Sequence, residues 1–302
     1  MGFKKIFVFL LLIICVFITF AQDLFEGKDY SLSEQWDLND LKSGNKGLFV
    51  IKKYKPLYVL PLNIISDVNE MPYSDNPERN PTTPQELDNA ELKFQLSFKT
   101  KVLTNLLGKK YGGDLWIGYT QSSRWQLFNY EQSRPFRETN YEPELMFILP
   151  VNYQFLGLDG VFMGLGINHQ SNGRGNPYSR SWNRIIAEFA WEGKHSSIMF
   201  KPWLRLQETS DEDDNPGIEN YMGRGELLFA YGKGLHNFSC IARHSMRFGD
   251  NNRGSIQLDY AIQIWDHLKF HTQFFSGYGE SMIDYNHKQT TFGFGFSLVE
   301  WR

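Results

Sequence analysis

Apolar and polar residues alternate with a period of two along most of this chain. Between residues 256 and 264, for example, isoleucine, leucine and tyrosine alternate with glutamine, aspartate and alanine. A period of two places the two kinds of side chain on opposite faces of a β-strand. The pattern predicts twelve strands, at residues 57–65, 92–103, 113–128, 143–155, 160–171, 183–192, 196–207, 221–231, 236–248, 255–265, 268–278 and 290–301.

The connections between these strands fall into two kinds. Long polar segments at 66–91, 129–142, 172–182, 208–220 and 279–289 contrast with tight turns at 193–195, 232–235 and 266–267. An even number of strands, with long loops at one end and mostly short turns at the other, is typical of bacterial outer-membrane barrels. The connection at 104–112 is the long exception on the short-turn side.

Composition supports the same architecture. Aromatic residues make up 16% of the chain, it contains 26 glycines, and the mean hydropathy is −0.42. A soluble β-sandwich would alternate as well, but here the polar row carries lysine, arginine, glutamine, aspartate and tryptophan, as a packed polar interior would. After residue 20 no apolar run is long enough for a spanning helix. We therefore predict an all-β fold, a twelve-stranded antiparallel transmembrane β-barrel.

The N-terminus predicts export. Lys4 and Lys5 precede an apolar run over residues 6–20, and small residues surround Ala21, so residues 1–21 are interpreted as a signal peptide. Residues 22–56 form an irregular N-terminal segment in this interpretation, and residues 57–302 form the barrel. Cleavage would leave Cys240 as the single cysteine, which excludes an intramolecular disulfide. It would also change the net charge from −3 to −5, too weak a charge to indicate nucleic acid as a partner.

On one predicted strand the lipid-facing row changes from apolar to polar residues. The apolar row that leads to Ile167 continues with His169 and Ser171, and the outward row of the following strand begins at Asn183. The loop between the two strands makes them antiparallel neighbours. We therefore expect the three polar side chains to converge on the outside of the barrel, at its extracellular rim. The alternative is that they only contact lipid headgroups.

A serine, a histidine and an asparagine in this arrangement fit acyl transfer. The serine supplies a nucleophile, the histidine removes its proton, and the asparagine fixes the tautomer and tilt of the imidazole. A second pair with the same spacing, His195 and Ser197, lies in a tight turn without a third partner and is interpreted as structural. The acidic run at 209–214 is, on its own, more typical of a solvated loop than of a site.

Gln121 is a further polar residue on a lipid-facing row, after Leu115, Ile117 and Tyr119. An amide in hydrocarbon costs a few kcal/mol unless its donors and acceptors find partners. The simplest partner is the same residue across a two-fold axis. Contact with headgroups at the strand end is the alternative.

These residues carry a family resemblance. The segment "HQSNGRGNPYSRSWNR" resembles the active-site segment of the outer membrane phospholipase A family, H-x-S-N-G-R followed by S-R-S-W-N-R. The segments "PFRETNYEPEL", "KPW", "DDNP", "YMG" and "SGYGESMIDYNHKQT" also agree. The similarity runs from about residue 55 to the C-terminus, whereas residues 22–54 match no segment of the family.

The resemblance implies a calcium-dependent phospholipase of the outer membrane that hydrolyses phospholipid acyl esters, with A1, A2 and lysophospholipase activity and its site near the extracellular leaflet. It implies Ser171 as nucleophile, His169 as base and Asn183 as the residue that orients the base. It also implies an active homodimer with Gln121 in its interface, and one calcium ion per active site, shared across the dimer. The implied calcium ligands are the carbonyl of Arg174, the hydroxyl of Ser179, Ser133 of the partner subunit and Asp214.

Such oxygen ligands suit calcium, and a water held by the metal, together with an amide such as that of Gly173, could form an oxyanion hole. Two positions depart from the family pattern. Asn176 replaces a frequent aspartate, which would lower calcium affinity, and Arg134 follows Ser133 where a small residue is usual.

Two alternatives to this function are a non-enzymatic barrel, such as a pore, and a catalytically lapsed relative. A pore has no need of the three polar residues on the outside of its wall. A soluble secreted esterase is disfavoured because the chain contains no G-x-S-x-G elbow.

Overall fold

The computed structural model describes residues 31–38 and 47–302. The predicted signal peptide, residues 1–21, lies outside the described residues, as does much of the predicted irregular segment 22–56. No helix in the described ranges is both long enough and apolar enough to span a bilayer.

The described residues form thirteen strands and one short helix. The helix, α1, is Leu32–Gln35. The strands are β1 (Ile51–Lys53), β2 (Leu57–Ile65), β3 (Ala90–Leu103), β4 (Asp114–Trp125), β5 (Glu138–Phe155), β6 (Leu158–Ser171), β7 (Ser181–Glu192), β8 (Ser196–Leu206), β9 (Gly225–Lys233), β10 (His236–His244), β11 (Gly254–Trp265), β12 (Leu268–Tyr278) and β13 (Lys288–Val299). Single 3₁₀ turns occur at Pro77–Arg79, Ile218–Asn220 and Gly249–Asn251.

Strands β2 to β13 close into an antiparallel barrel. Each strand pairs with the next, and β13 pairs back onto β2, with Phe292 opposite Ile64. The short β1 pairs with the far part of β3, opposite Phe98–Thr100, whereas β2 pairs with the near part, so both occupy one edge of β3. The prediction of a twelve-stranded antiparallel barrel is confirmed.

Most predicted strand limits agree with the structure to within two or three residues, and three differ more. Strand β5 begins at Glu138 rather than 143, because Glu138–Tyr141 continue the ladder opposite β4. Strand β9 begins at Gly225 rather than 221, because residues 221–224 complete the turn that follows Ile218–Asn220. Strand β10 ends at His244 rather than 248.

The connections give the barrel a long-loop rim and a short-turn rim. The connections at 156–157, 193–195, 234–235 and 266–267 are short, and those at 66–89, 126–137, 172–180, 207–224, 245–253 and 279–287 are long. The exception, 104–113, is a compact turn held by backbone hydrogen bonds from Leu106 to Gly113 and from Leu107 to Gly112.

The two faces of the wall differ as the alternation predicts. Outward residues such as Leu165 and Ile167 are each 58% exposed, which suits a lipid-facing surface. The inward face carries buried charges that are paired with one another, including Lys93 with Glu280 (2.6 Å), Arg137 with Glu91 (2.7 Å), Lys55 with Glu142 (2.7 Å), Arg184 with Glu142 (2.9 Å) and Arg243 with Glu226 (2.8 Å). Pairing offsets the cost of removing these charges from water.

The described part of the N-terminal segment, residues 31–38 and 47–56, contains regular structure that the sequence did not indicate. Ser31 and Glu34 form a capping box that starts α1, which is the local reason that these residues become helical. The next residue after α1, Trp36, is buried inside the barrel against Trp116 and Phe162, and the ammonium group of Lys99 lies over its ring. Large inward aromatic rings therefore anchor this segment in the lumen.

The lumen is closed further at the short-turn rim. The hydroxyl of Ser33 donates to Glu192, and the Gln35 side chain donates to the carbonyl of Trp301 (3.0 Å). The guanidinium of Arg302 donates to the carbonyls of Gly193 and Lys194. Both described ends of the chain thus pack into the same end of the barrel.

Candidate active site on the outer wall

The structure places His169 and Ser171 on the outer face of β6. They continue the row of Leu165 and Ile167, whereas the intervening Asn168 is only 1% exposed and points into the lumen. Both side chains are half-buried and lie next to the long-loop rim. The predicted position on the outside of the wall therefore agrees with the structure.

Strand register brings Asn183 to His169. The two residues are direct partners in the ladder between β6 and β7, and their side chains meet, with His169 Nδ1 and Asn183 Oδ1 2.8 Å apart. If Nδ1 carries the proton, it donates to the amide oxygen and leaves Nε2 as the basic atom. Within the described residues Nε2 has no hydrogen-bond partner, so it is available to a proton donor.

Ser171 lies two residues further along the same row, opposite Ser181 of β7. The described residues include no hydrogen bond between its hydroxyl and the imidazole. Contacts between a nucleophile and its base are often loose without substrate and tighten only in the reacting complex. The three residues thus share one face of the wall, and two of them are in contact.

Sequence reasoning missed a fourth residue at this place. The amide nitrogen of Asn183 donates to Glu208 Oε1 (3.0 Å), just after the end of β8. Partial burial raises the pKa of Glu208, and Asp213 raises it further, whereas Arg205 and the hydrogen bond from Asn183 oppose the shift. The signal in the sequence was the outward row of β8, in which Leu204 and Leu206 are followed at the same parity by Glu208.

The loop after the serine is organised by Asn172, which is 3% exposed. Its side chain accepts from the amides of Arg180 (3.0 Å) and Arg174 (3.3 Å) and donates to the carbonyl of Tyr178 (2.8 Å). Sequence reasoning gave Asn172 no role. The signal available in the sequence was its position in the segment "QSNGR", directly after Ser171.

Gly173 follows in a left-handed conformation, with φ of +63°. A Cβ at this position would lie 2.8 Å from the Tyr141 ring, so both the backbone angle and the space require glycine. Gly173 is an exposed residue, and its amide donates to no acceptor in the described part of the chain. An unused donor beside the serine fits a role in binding an oxyanion.

The loop at 279–287 braces this region from inside the barrel. Glu138 accepts from the amide of Ile283 (3.1 Å) and from the side chain of Asn172 (3.3 Å), so it connects the two loops. Glu280 holds the same loop in the lumen through Arg124 and Lys93. Burial alone would raise the pKa of Glu280, but these two cations outweigh burial and lower the pKa to about 2.

The calcium positions expected from the resemblance lie at the long-loop rim. Ser179 donates to Asp214 Oδ2 (2.6 Å), while the other carboxylate oxygen of Asp214 accepts from Arg79 Nε (2.6 Å). The Arg174 guanidinium stacks on Tyr178 (4.3 Å) and donates to the carbonyl of Arg137. The described residues contain no group of three or more histidine, cysteine, aspartate or glutamate side chains arranged for a metal ion.

Ser133 shares no hydrogen bond with these residues in the described part of the chain. It lies in the loop 126–137, where its hydroxyl donates to the carbonyl of Tyr130 and its own carbonyl accepts from Trp125. Arg79, which neutralises Asp214 from 135 residues away, was also missed, and no local pattern in the sequence could have identified it.

Gln121 lies on the outward row of β4, as expected, but finds partners on its own strand. Tyr119 donates to its oxygen (3.2 Å), and its nitrogen donates to Ser123 (3.3 Å). One amide hydrogen and one lone pair of the oxygen remain for other partners. The amide therefore does not by itself require a second chain.

The second histidine–serine pair is arranged differently. Ser197 is 3% exposed and faces the lumen, whereas the ring of His195 lies against Tyr231 at the short-turn rim. In the acidic run, Asp213 pairs with Arg205 (2.6 Å), and Glu212 accepts from Thr209.

The family model described as phospholipase A1 matches residues 32–298. The match begins well before residue 55, so the expectation that residues 22–54 match nothing was wrong from residue 32 onward. The matched range thus includes helix α1 and Trp36, which pack inside the barrel.

Among curated proteins, phospholipase A1 of Escherichia coli K12 is 41% identical over 208 residues, which cover 69% of this chain and 69% of that protein. Among solved structures, the outer membrane phospholipase dimer of Salmonella typhi with bound calcium is 34% identical. Its TM-score is 0.74, and the match covers 87% of this chain and 96% of that one.

A third similar structure is an Escherichia coli outer membrane phospholipase A in which an active-site asparagine is replaced by alanine. It is 33% identical with a TM-score of 0.74, and the match covers 87% of this chain and 97% of that one. A family model that spans most of the barrel, together with relatives of this identity and the same fold, shows that the chain belongs to the outer-membrane phospholipase A1 family of ester hydrolases.

Proposed function

We propose that Ser171, His169 and Asn183 form the catalytic triad with which this phospholipase hydrolyses acyl esters in the outer leaflet of the membrane. The contact between His169 Nδ1 and Asn183 Oδ1 at 2.8 Å carries the proposal. The related enzyme whose active-site asparagine has been replaced supports the role of Asn183. The position of the three residues beside the long-loop rim supports the assignment of that rim to the extracellular side.

In this mechanism His169 Nε2 removes the proton from the Ser171 hydroxyl as its oxygen attacks the ester carbonyl. The carbonyl carbon becomes tetrahedral, and its oxygen takes a negative charge that the Gly173 amide can bind. The imidazolium then gives the proton to the leaving oxygen of the lysophospholipid. Water, deprotonated by the same nitrogen, releases the fatty acid from Ser171 and restores the enzyme.

Calcium is part of the proposal because the related dimer binds it. The Arg174 carbonyl, the Ser179 hydroxyl and the Asp214 carboxylate would hold the ion together with Ser133 of the partner subunit. The residues fit a calcium ion because all the atoms that would bind it are oxygens. The Ser179 hydroxyl oxygen and Asp214 Oδ2 already lie 2.6 Å apart. When bound, calcium supplies positive charge that favours the oxyanion. Asn176, in place of a carboxylate, lowers the affinity in this proposal.

Dimerisation would complete this site. In the single chain the hydrogen bonds of Ser133 go to Tyr130 and Trp125 and not to the other three positions, which is consistent with a ligand supplied by the partner subunit. The remaining hydrogen-bonding capacity of Gln121 would be used in the interface. Calcium binding and dimerisation must then strengthen each other by equal free energies.

The deciding experiment is hydrolysis of phospholipid vesicles or mixed micelles by the purified barrel, with and without calcium. Ser171→Ala should lose activity while the barrel still folds, and a sulfonyl fluoride should label Ser171 and no other serine. Activity of Ser171→Ala close to that of the parent protein would overturn the assignment of the nucleophile.

The metal and dimer part is tested separately by cross-linking in detergent across a calcium titration. The dimer fraction should rise with calcium in the parent protein, less in Ser179→Ala and less in Gln121→Ala. A dimer fraction indifferent to calcium, or full activity from a proven monomer, would contradict this part of the proposal, and Asn176 would then be the first residue to examine.

A further inference from the structure

Glu208 occupies an unusual place for a carboxylate. The outward row of β8 runs through Leu204, which is 73% exposed, and Leu206, which is 42% exposed, and reaches Glu208 just beyond the strand end. A carboxylate beside a lipid-facing row loses part of its hydration, and this loss is unfavourable without a compensating contact. The compensating contact is a hydrogen bond that Glu208 Oε1 accepts from Asn183 Nδ2, at 3.0 Å.

This contact decides which end of the Asn183 amide faces the histidine. The oxygen and nitrogen of an amide occupy nearly equivalent positions, and neighbouring groups select between them. An ionised carboxylate only accepts hydrogen bonds, so Glu208 holds the NH₂ group toward itself and leaves Oδ1 toward His169. The reversed amide would bring a donor against the protonated Nδ1 and would favour the wrong tautomer of the imidazole.

The contact also supplies charge. Asparagine is neutral and stabilises an imidazolium less than an aspartate in the same position would. Glu208 accepts from the side of the Asn183 amide that faces away from His169. The carboxylate therefore polarises this amide and places a negative charge one residue beyond it, as seen from the imidazole. The chain His169–Asn183–Glu208 therefore runs from the base to an anion at the edge of the long-loop rim.

We infer that Glu208 is a positioning residue of this enzyme, which orients Asn183 and, through it, stabilises the protonated state of His169 during acyl transfer. The inference rests on the proposed triad. It adds to the three residues a fourth one, supplied by the loop after β8, that never touches the substrate.

The charged surroundings of Glu208 make this role dependent on pH. Partial burial is the largest effect and raises the pKa of Glu208, and Asp213 and Asp214 raise it further. Arg205 and the hydrogen bond from Asn183 favour the ionised form, but they do not outweigh the other effects. On acidification Glu208 therefore gains its proton at a higher pH than an exposed glutamate would. Below that pH Glu208 is neutral and can donate as well as accept, so it no longer selects one orientation of the Asn183 amide and no longer supplies a negative charge.

The test compares Glu208→Gln and Glu208→Ala with Glu212→Gln as the matched control. Glu212 lies in the same acidic loop, is exposed, and contacts Thr209 rather than the site. Glu208→Gln keeps an acceptor but removes the charge, and should lower kcat about threefold to tenfold; Glu208→Ala should lower it about tenfold or more, with KM nearly unchanged. The acid limb of the kcat/KM profile should shift to lower pH in Glu208→Gln and stay in place in Glu212→Gln.

A second background separates positioning from a purely structural role. In Asn183→Asp a carboxylate contacts His169 directly and also faces Glu208, so the two anions repel. Adding Glu208→Gln to the Asn183→Asp variant should raise kcat about threefold, whereas the same substitution should lower kcat in the parent protein. A structural role would lower activity equally in both backgrounds.

Failure of this inference is distinguishable from failure of the proposed triad. If Ser171→Ala and Asn183→Ala lose activity while Glu208→Ala keeps the kcat and the pH profile of the parent protein, the triad stands and the inference is overturned. If Ser171→Ala stays active, the triad itself is wrong. Heat-modifiable migration on gels checks that each variant is folded.

Discussion

Two histidines in the barrel wall, His169 and His271, make opposite use of the same ring. His271 on β12 faces the lumen and is fully buried, with Asp259 on Nε2 and Glu300 on Nδ1, both at 3.1 Å, and Tyr58 stacked on its face. His169 faces outward, and within the described residues it has one nitrogen held by Asn183 and the other without a partner. A histidine with both nitrogens occupied cross-links strands, whereas one with a single nitrogen held is oriented and can still exchange a proton.

His195 completes the comparison. It has the same spacing to a serine as His169, but Ser197 faces the lumen, and in the described part of the chain no amide or carboxylate hydrogen-bonds to the His195 ring. The spacing of two residues alone therefore does not create a site. What distinguishes His169 is the register that sets Asn183 directly opposite it.

The largest expected effect separates His169 from His195. His169→Ala removes the proposed base and should lower kcat by about 10³-fold or more, while thermal stability stays close to that of the parent protein. His195→Ala is the control, because its ring lies at the other rim, and it should retain activity. Initial rates on micellar phospholipid measure both variants; equal losses would remove the distinction between the two pairs.

For His271 we expect the main effect of an alanine substitution to be on stability. His271→Ala would leave two buried carboxylates without their shared partner and should destabilise the barrel by about 3–5 kcal/mol. Denaturant unfolding followed by tryptophan fluorescence measures this loss. His267→Ala, in the turn 266–267, is the control and should change stability little. A stable His271→Ala barrel would show that the buried ring is not the cross-link described above.

Asn183→Ala should reduce turnover less than His169→Ala does. The asparagine only orients and polarises the base, so its loss corresponds to about 1–3 kcal/mol, or about fivefold to 150-fold in kcat. Side-by-side kinetics of the two variants give the order. If the asparagine variant were the more damaged one, the assigned roles would have to be exchanged or abandoned.

The smallest effect compares two glycines of the loop after Ser171. Gly173→Ala forces a side chain into a left-handed conformation and against the Tyr141 ring, at a cost of about 1–2 kcal/mol, and should displace the amide proposed for the oxyanion. At Gly175 a Cβ would meet nothing within 4 Å, so Gly175→Ala is the matched control. Equal kcat values for the two variants would argue against a role for the Gly173 amide.

Much of the fold could be predicted because the period of two determines which side chains of each strand face outward and which face the lumen. Outward and inward rows, strand number and the two rims follow from the alternation, and the same argument placed His169, Ser171, Asn183 and Gln121 on the outer face. The family was identified from the segment around Ser171, and the family model and relatives confirm it.

What escaped prediction depends on contacts between distant segments. Trp36 is buried only because Trp116, Phe162 and Lys99 surround it inside the closed barrel. Arg79 meets Asp214 across two loops, and Glu208 reaches Asn183 only after β8 has ended. Alternation describes strands, and it carries no information about where loop side chains fold back.

The residues that pack into the short-turn end of the barrel have an electrical consequence. A cavity of about 130 Å³ in the lumen is lined by paired charges, among them Lys93 with Glu280 and Arg184 with Glu142. Trp36 is buried inside the barrel, and Arg302 contacts the carbonyls of the turn at 193–195. An ion drawn through such a barrel would have to displace paired charges and an indole ring. The lumen of this barrel is thus obstructed by its own side chains, so that permeability caused by the enzyme would arise from the lipids it cleaves and not from an open channel through its wall.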